Sequence, residues 1–114
     1  MPNKYNARKV TIDGIKFDSK AEARRYGELK LLVQAGEITD LVCHPRFRLL
    51  DGVTWNGKRY RPVNYTADFQ YREGDKTVIE DVKSKATKTT AFVLRMKLWI
   101  SQHDEAEWDF RITE

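Results

Sequence analysis

Asp68, Asp81 and Lys83 have the residue types and spacing for metal-assisted chemistry on a phosphate, and Glu22 is a fourth candidate. Asp81 and Lys83 stand two apart in VIEDVKSK, residues 78–85. On a strand both side chains leave the same face, so a carboxylate lies beside an ammonium. Asp68, in YTADFQY, is 13 residues upstream across a turn signalled by Gly74-Asp75. Adjacent antiparallel strands lie about 4.8 Å apart, so the two carboxylates can converge. Like charges that close repel, and burial adds to the cost. A divalent cation relieves both problems, and Mg²⁺ typically takes one or two carboxylates plus waters and phosphate oxygens. Lys83 could then stabilise charge developing on a phosphorane, or orient a water nucleophile.

Each of these residues also has a purely structural reading. At about 100° per residue, Glu22 is centred on the helical stripe of Tyr26, Leu29 and Val33 and so faces the sheet. It could complete the metal shell or hold one of its waters. Ser19-x-x-Glu22 equally fits a capping box. Asp68 shares a strand face with Thr66 and Gln70, which could be a solvated polar face. Asp81 and Lys83 could be a local ion pair on an exposed strand. The acid-x-lysine triplet itself recurs at Asp18-Ser19-Lys20 and Glu28-Leu29-Lys30. Only Asp81-Val82-Lys83 follows an apolar strand start and a hairpin partner carrying another acid.

The positioning elements are legible in outline. VTIDGIKF (10–17) alternates around Asp13-Gly14, a hairpin signal. Residues 18–36 form a predicted helix, capped by Asp18 or Ser19 and ended at Gly36. Residues 37–50 are extended, with Pro45 marking a bend or an edge. Turn signals follow at Asp51-Gly52 and Asn56-Gly57. Two strands joined at Gly74-Asp75 come next. In the first, Tyr65, Ala67, Phe69 and Tyr71 are expected to share one face. A second helix spans 89–103, with Phe92, Met96, Trp99 and Ile100 on one side. Leu94 and Leu98 lie on another side, which suggests a second partner, either another subunit or another part of the same chain. EWDFRIT reads as a half-buried strand. Together these give an α/β class with a central mixed β-sheet flanked by helices.

The chain has 114 residues, one domain's worth, with 33% charged residues and net charge +4. Residues 1–9 are expected to be a flexible basic arm carrying Lys4, Arg8 and Lys9. A second acid-free cluster holds Lys83, Lys85, Lys88, Arg95 and Lys97. Such clusters suit nucleic acid, through phosphate neutralisation. Lys85 and Lys88 follow the acidic site directly. Basic and aromatic residues mix at Arg46-Phe47-Arg48 and Lys58-Arg59-Tyr60-Arg61. These could line a DNA groove, or simply snorkel from exposed strands. No run approaches the ~18 apolar residues of a membrane span, and the opening MPNKYNARKV lacks the apolar core of a secretory signal. With a single cysteine, Cys43, a cytoplasmic protein is expected. Cys43-His44 invites zinc, but a structural site needs about four ligands and the chain offers one Cys and two His.

The acids and the lysine in their contexts, FDSKAE around Glu22, YTADF around Asp68 and VIEDVKS around Asp81 and Lys83, resemble the PD-(D/E)XK nuclease signature. The resemblance runs from about residue 10 to 112. More narrowly, KYNARKVTIDGIKFDSKAEARRYGELKLL with GEI, YTADF and EDVKS looks like a small phage family related to Holliday-junction resolvases. The resemblance implies a restriction-endonuclease-like core forming a single nuclease domain over 10–114. It implies Mg²⁺-dependent hydrolysis of DNA phosphodiesters, with Mn²⁺ able to substitute and no other small-molecule cofactor. It also implies that Asp68 and Asp81 are metal ligands with the Val82 carbonyl, that Lys83 is the catalytic lysine and that Glu22 is the helical acid. The expected substrate is branched DNA, cut by a homodimer in a bacterial host cytoplasm. The other readings are a nuclease for other DNA structures, or a non-catalytic DNA-binding module of the same fold. Two positions depart from the pattern. Ala67 replaces the name-giving proline, and Asp81 stands where glutamate is more frequent, so a bulge could bring in Glu80 instead.

Overall fold

The computed structural model describes residues 9–114. Most of the basic arm expected over residues 1–9, including Lys4 and Arg8, lies outside the described residues. Lys9 is described and is exposed.

The chain opens with a hairpin of β1 (Val10–Ile12) and β2 (Ile15–Phe17). Its two-residue turn puts Asp13 at φ 54° and Gly14 at φ 76°, the left-handed pair that such a turn needs. Helix α1 (Lys20–Gln34) begins at Ser19, whose hydroxyl accepts the Glu22 N–H at 3.1 Å. It ends at Gly36, φ 77°, where the Gly36 and Glu37 N–H groups cap the Val33 and Leu32 carbonyls. β3 (Thr39–Cys43), β4 (Arg46–Leu50), a hairpin of β5 (Val53–Trp55) and β6 (Lys58–Tyr60), β7 (Val63–Thr66), β8 (Phe69–Glu73) and β9 (Lys76–Val82) follow. Helix α2 (Thr90–Ser101), capped by the Thr89 hydroxyl, leads to β10 (Trp108–Thr113).

Four strands form a mixed sheet in the order β10-β9-β8-β3, with β10 parallel to β9 and the other pairs antiparallel. Alternation along β9 sends Val78 to one face and Ile79 to the other. Val78 joins Phe17, Tyr26, Leu29, Ile38, Phe69 and Tyr71 beneath α1. Ile79 joins Tyr65, Ala67, Phe92 and Trp99 beneath α2. The fold is thus α/β, with one helix on each face of the sheet.

Three sequence expectations are corrected here. Tyr65, Ala67, Phe69 and Tyr71 do not share a face: the first two pack under α2 and the last two under α1. Period-two alternation holds only within one ladder, and this stretch changes ladder after Thr66: β7 pairs with β4, whereas β8 pairs with β3 and β9. On α1, Leu32 rather than Val33 packs on the core and Val33 is exposed, because an i, i+3 step from Leu29 reaches the core as readily as i, i+4. On α2, Ile100 is exposed, while Leu98, expected on the outer side, packs against the inner cluster. Leu94 does face outward.

Beneath α1 lies a buried ionic network. Glu80 is 0% exposed. Arg25 donates to it from Nε at 2.6 Å and from Nη2 at 3.0 Å, Tyr71 Oη at 2.7 Å and Thr113 Oγ1 at 3.2 Å. This ties α1, β8, β9 and β10 together through one carboxylate. Removing one partner of a buried ion pair strands the other charge, which costs about 3–5 kcal/mol. Arg25→Ala should therefore lower the free energy of unfolding by about that amount in urea titrations; a loss below about 1 kcal/mol would show that Glu80 is not held by this pair.

Candidate active site

The buried end of β9 is where the sequence acids meet. Glu80 and Asp81 are adjacent, so they point to opposite faces of the sheet. Glu80 goes to the α1 side and is fully engaged there, which leaves it out of the site as a substitute for Asp81. Asp81 goes to the α2 side and is 1% exposed. The last registered pair of the β8–β9 hairpin is Phe69↔Glu80. One step further, that register sets Asp68 against Asp81. Asp68 sits where β7 has ended and β8 has not begun, and its Oδ2 accepts the Val82 N–H at 2.7 Å. A side chain thus takes a bond that a ladder carbonyl would otherwise accept, and it fixes the carboxylate at the strand end.

Lys83 lies 3.4 Å from Asp81 Oδ1 and 5.1 Å over the Phe92 ring. Asp81 Oδ2 is buried with no hydrogen-bond partner among the described residues. A carboxylate so placed resists ionisation: burial pushes Asp81 up to about 6, against the opposing pull of Lys83. Burial also raises Asp68, with the Val82 N–H, Lys83 and His44 working the other way. Glu22 is raised by burial and then by the charge of Asp68, and is lowered by its bond to His44. Burial thus raises all three acids, and the charge of Asp68 adds to the rise of Glu22.

Glu22 bonds both to the start of its own helix and across to the end of β3. Its Oε2 accepts the Asp18 N–H at 3.4 Å, closing the helix start, while Oε1 lies 2.8 Å from His44 Nε2. His44 is a site residue that sequence reasoning set aside, because it has no set of zinc ligands and no neighbouring Asn to act with. It adopts φ 56° immediately before Pro45, a costly conformation for a non-glycine residue. Its N–H donates to the Asp68 carbonyl at 2.9 Å, and the Ala67 N–H returns to Pro45 at 3.0 Å. Those two bonds hold the kink. No sequence spacing could have paired His44 with Glu22, because the link runs from the end of β3 to the start of α1.

Among the described residues, no three Asp, Glu, His or Cys side chains gather into a cage that could hold a metal by protein ligands alone. The donor set nonetheless suits a hard, water-carrying cation, which needs only one or two carboxylates. The partnerless Asp81 Oδ2, opposite Asp68, is where such an ion would relieve the most strain. Of the basic candidates, Lys85 and Lys88 are exposed on the loop after β9, and Arg46 and Arg48 are exposed on β4. Lys58, Arg59 and Arg61 are exposed on or next to the β5–β6 hairpin. Among the described residues, no helix is long and apolar enough to cross a membrane.

The chain belongs to the family described as "Protein of unknown function (DUF1064)", whose model matches residues 2–113. No curated protein matches it.

Asp81 gives a direct pH test. Its folded pKa lies above the unfolded value, so the contribution to stability is greatest when the group is protonated and is lost as pH rises through about 6. In metal-free buffer at pH 8, Asp81→Asn should therefore be more stable than wild type by up to about 3 kcal/mol, at roughly 1.4 kcal/mol per unit. The gap should close as pH falls toward about 4. Denaturation midpoints across that range check it, and an unchanging gap would mean that Asp81 ionises freely.

Proposed function

For a member of this family carrying such a site, we propose a metal-dependent endodeoxyribonuclease with a restriction-endonuclease-like core. The observation that carries this reading is Asp81: buried beside Lys83, opposite Asp68, with one oxygen left without a partner among the described residues. A buried carboxylate that costs stability is expected where function needs it. The resemblance to PD-(D/E)XK nucleases adds the substrate, DNA, and its narrower form adds branched DNA, with Holliday junctions foremost. The β9–α2–β10 order and the helix on each face of a mixed sheet are compatible with that core.

Asp68 and Asp81 would hold Mg²⁺, or Mn²⁺ in its place, and the resemblance adds the Val82 carbonyl and Glu22. When bound, the cation supplies Lewis-acid polarisation of the phosphate. The residues of the chain do the rest. The Val82 N–H keeps Asp68 aligned, and His44 keeps Glu22 turned toward Asp68. Lys83, held by Asp81 and the Phe92 ring, offers positive charge where negative charge develops on the phosphoryl oxygens. Around the acids, Arg46, Arg48, Lys85 and Lys88 supply charges for the DNA backbone. The β5–β6 hairpin adds Lys58, Arg59 and Arg61, and its Trp55, 69% exposed, offers a ring to a base or sugar. Cutting both strands of a symmetric junction calls for two copies, and the outward Leu94 supplies apolar surface for a homodimer.

The test is cleavage of a four-way junction and a matched linear duplex with Mg²⁺, Mn²⁺ or EDTA. Wild type should cut the junction only when a divalent ion is present. Asp81→Asn should bind DNA as well or better and not cut. Lys83→Ala should lose about 10²–10³ in rate while keeping metal binding. Cleavage by Asp81→Asn at the wild-type rate would end the metal-site assignment, and equal cutting of both DNAs would remove the junction preference.

A further inference from the structure

Beside Lys83, a cleft of about 330 Å³ opens between β7, the loop after β9 and the first turns of α2. Asn64, Thr66, Lys83, Thr87, Thr89 and Arg95 form its polar lining, and no acid lines it. We propose that this cleft is a subsite for a backbone phosphate flanking the one addressed by Asp81 and Lys83, with Arg95 as its principal contact. The proposal rests on the nuclease reading and adds to it a defined path for the strand.

Four observations converge. First, the two cations reach the cleft from different elements, Lys83 from the end of β9 and Arg95 from the second turn of α2. Second, the Arg95 guanidinium is already oriented. Its Nε donates to the Asn64 carbonyl at 3.1 Å and Nη1 makes only a long contact to the Ala91 carbonyl, 3.5 Å. Nη2 has no partner among the described residues. A guanidinium held by one edge presents the other as a ready fork for an anion, at little further entropy cost. Third, α2 begins at the cleft with no acid in its first turn. The first-turn N–H groups of a helix lack intrahelical acceptors, and its positive end favours an anion. Fourth, Tyr65 lines the cleft, is 4% exposed, and its buried hydroxyl has no partner among the described residues.

The loop that closes the cleft is preset as well. Thr87 Oγ1 accepts the Ser84 N–H at 2.9 Å, and the Thr87 and Lys88 N–H groups return to the Ser84 carbonyl at 3.2 and 3.0 Å. A polymer is favoured over a small anion because the positive surface continues past both rims. Register places Arg46 opposite Thr66 and Arg48 opposite Asn64, so both arginines share the ladder face that carries these two lining residues. Lys85 and Lys88 stand exposed on the loop at the other rim. A lone phosphate would need only the cleft, whereas a strand uses the whole track.

The test combines Arg95→Gln with DNA in which one backbone phosphate at a time is replaced by a neutral methylphosphonate. Arg95 is outside the set assigned to the chemistry, so metal-dependent cleavage should persist. On unmodified DNA, kcat/KM should fall about tenfold to a hundredfold, the size of a lost charge-assisted contact. At one flanking position, the methylphosphonate should cost wild type a similar factor and cost Arg95→Gln nothing more. Arg95→Lys, which keeps the charge without the fork, should fall in between, and matching thermal melts of all three proteins exclude a folding defect. Losses that multiply at every position, or normal cutting by Arg95→Gln, would overturn the subsite. If wild type cuts no DNA with any metal, the nuclease reading fails separately, and equilibrium binding decides the subsite. Arg95→Gln should then lower the slope of log K against log salt by about 1 and ignore the same methylphosphonate. An unchanged slope would overturn it.

Discussion

Two adjacent carboxylates buried at the end of one strand set the terms for this structure. Alternation along β9 sends Glu80 and Asp81 to opposite sides of the sheet, and the two sides treat them differently. On the α1 side, Glu80 meets Arg25, Tyr71 and Thr113 and has no unmet demand. On the α2 side, Asp81 meets Lys83 at 3.4 Å, and its Oδ2 has no partner among the described residues. The first arrangement locks α1, β8, β9 and β10 together. The second leaves one buried carboxyl oxygen unmatched among the described residues. A rigid, fully bonded acid one residue away is what allows the less satisfied one to be held in place.

The kinks around the site have the same logic. β3 stops at His44-Pro45 and β7 stops just before Asp68, and the two breaks are stitched to each other by two backbone hydrogen bonds. Through them the chain passes from one ladder to the next without leaving its backbone groups unpaired. The breaks also free side chains from strand geometry. Asp68 can turn to the Val82 N–H and His44 can reach Glu22, which neither could do inside a regular ladder. The left-handed His44 is a local cost that the surrounding bonds hold in place.

The surface divides by charge around this point. Lys83 stands between the buried Asp81, 3.4 Å away, and the acid-free cleft that Arg95 also lines. A phosphodiester bound across that boundary would have its scissile phosphate beside the proposed cation and a neighbouring phosphate beside Arg95. The exposed β5–β6 hairpin, with Trp55 and its run of basic residues, extends the same positive character away from the core.

Local sequence determined much of the frame. The Asp13-Gly14 and Gly74-Asp75 turns, the Ser19 and Thr89 caps and the Gly36 stop are short-range signals, because turn and cap chemistry acts within a few residues. The pairing of Asp68 with Asp81 across a tight hairpin was legible for the same reason. Tertiary structure decided what depends on contacts distant in sequence. Nothing near VIEDVKSK says that Glu80 belongs to Arg25, 55 residues away, and that Asp81 is the acid left open. The strand break after Thr66, which moves Tyr65 and Ala67 to the other face from Phe69 and Tyr71, arises from a change of pairing partner that alternation cannot register. His44 met Glu22 and Arg95 turned into the cleft only once the sheet had brought β3, β7 and the helices together.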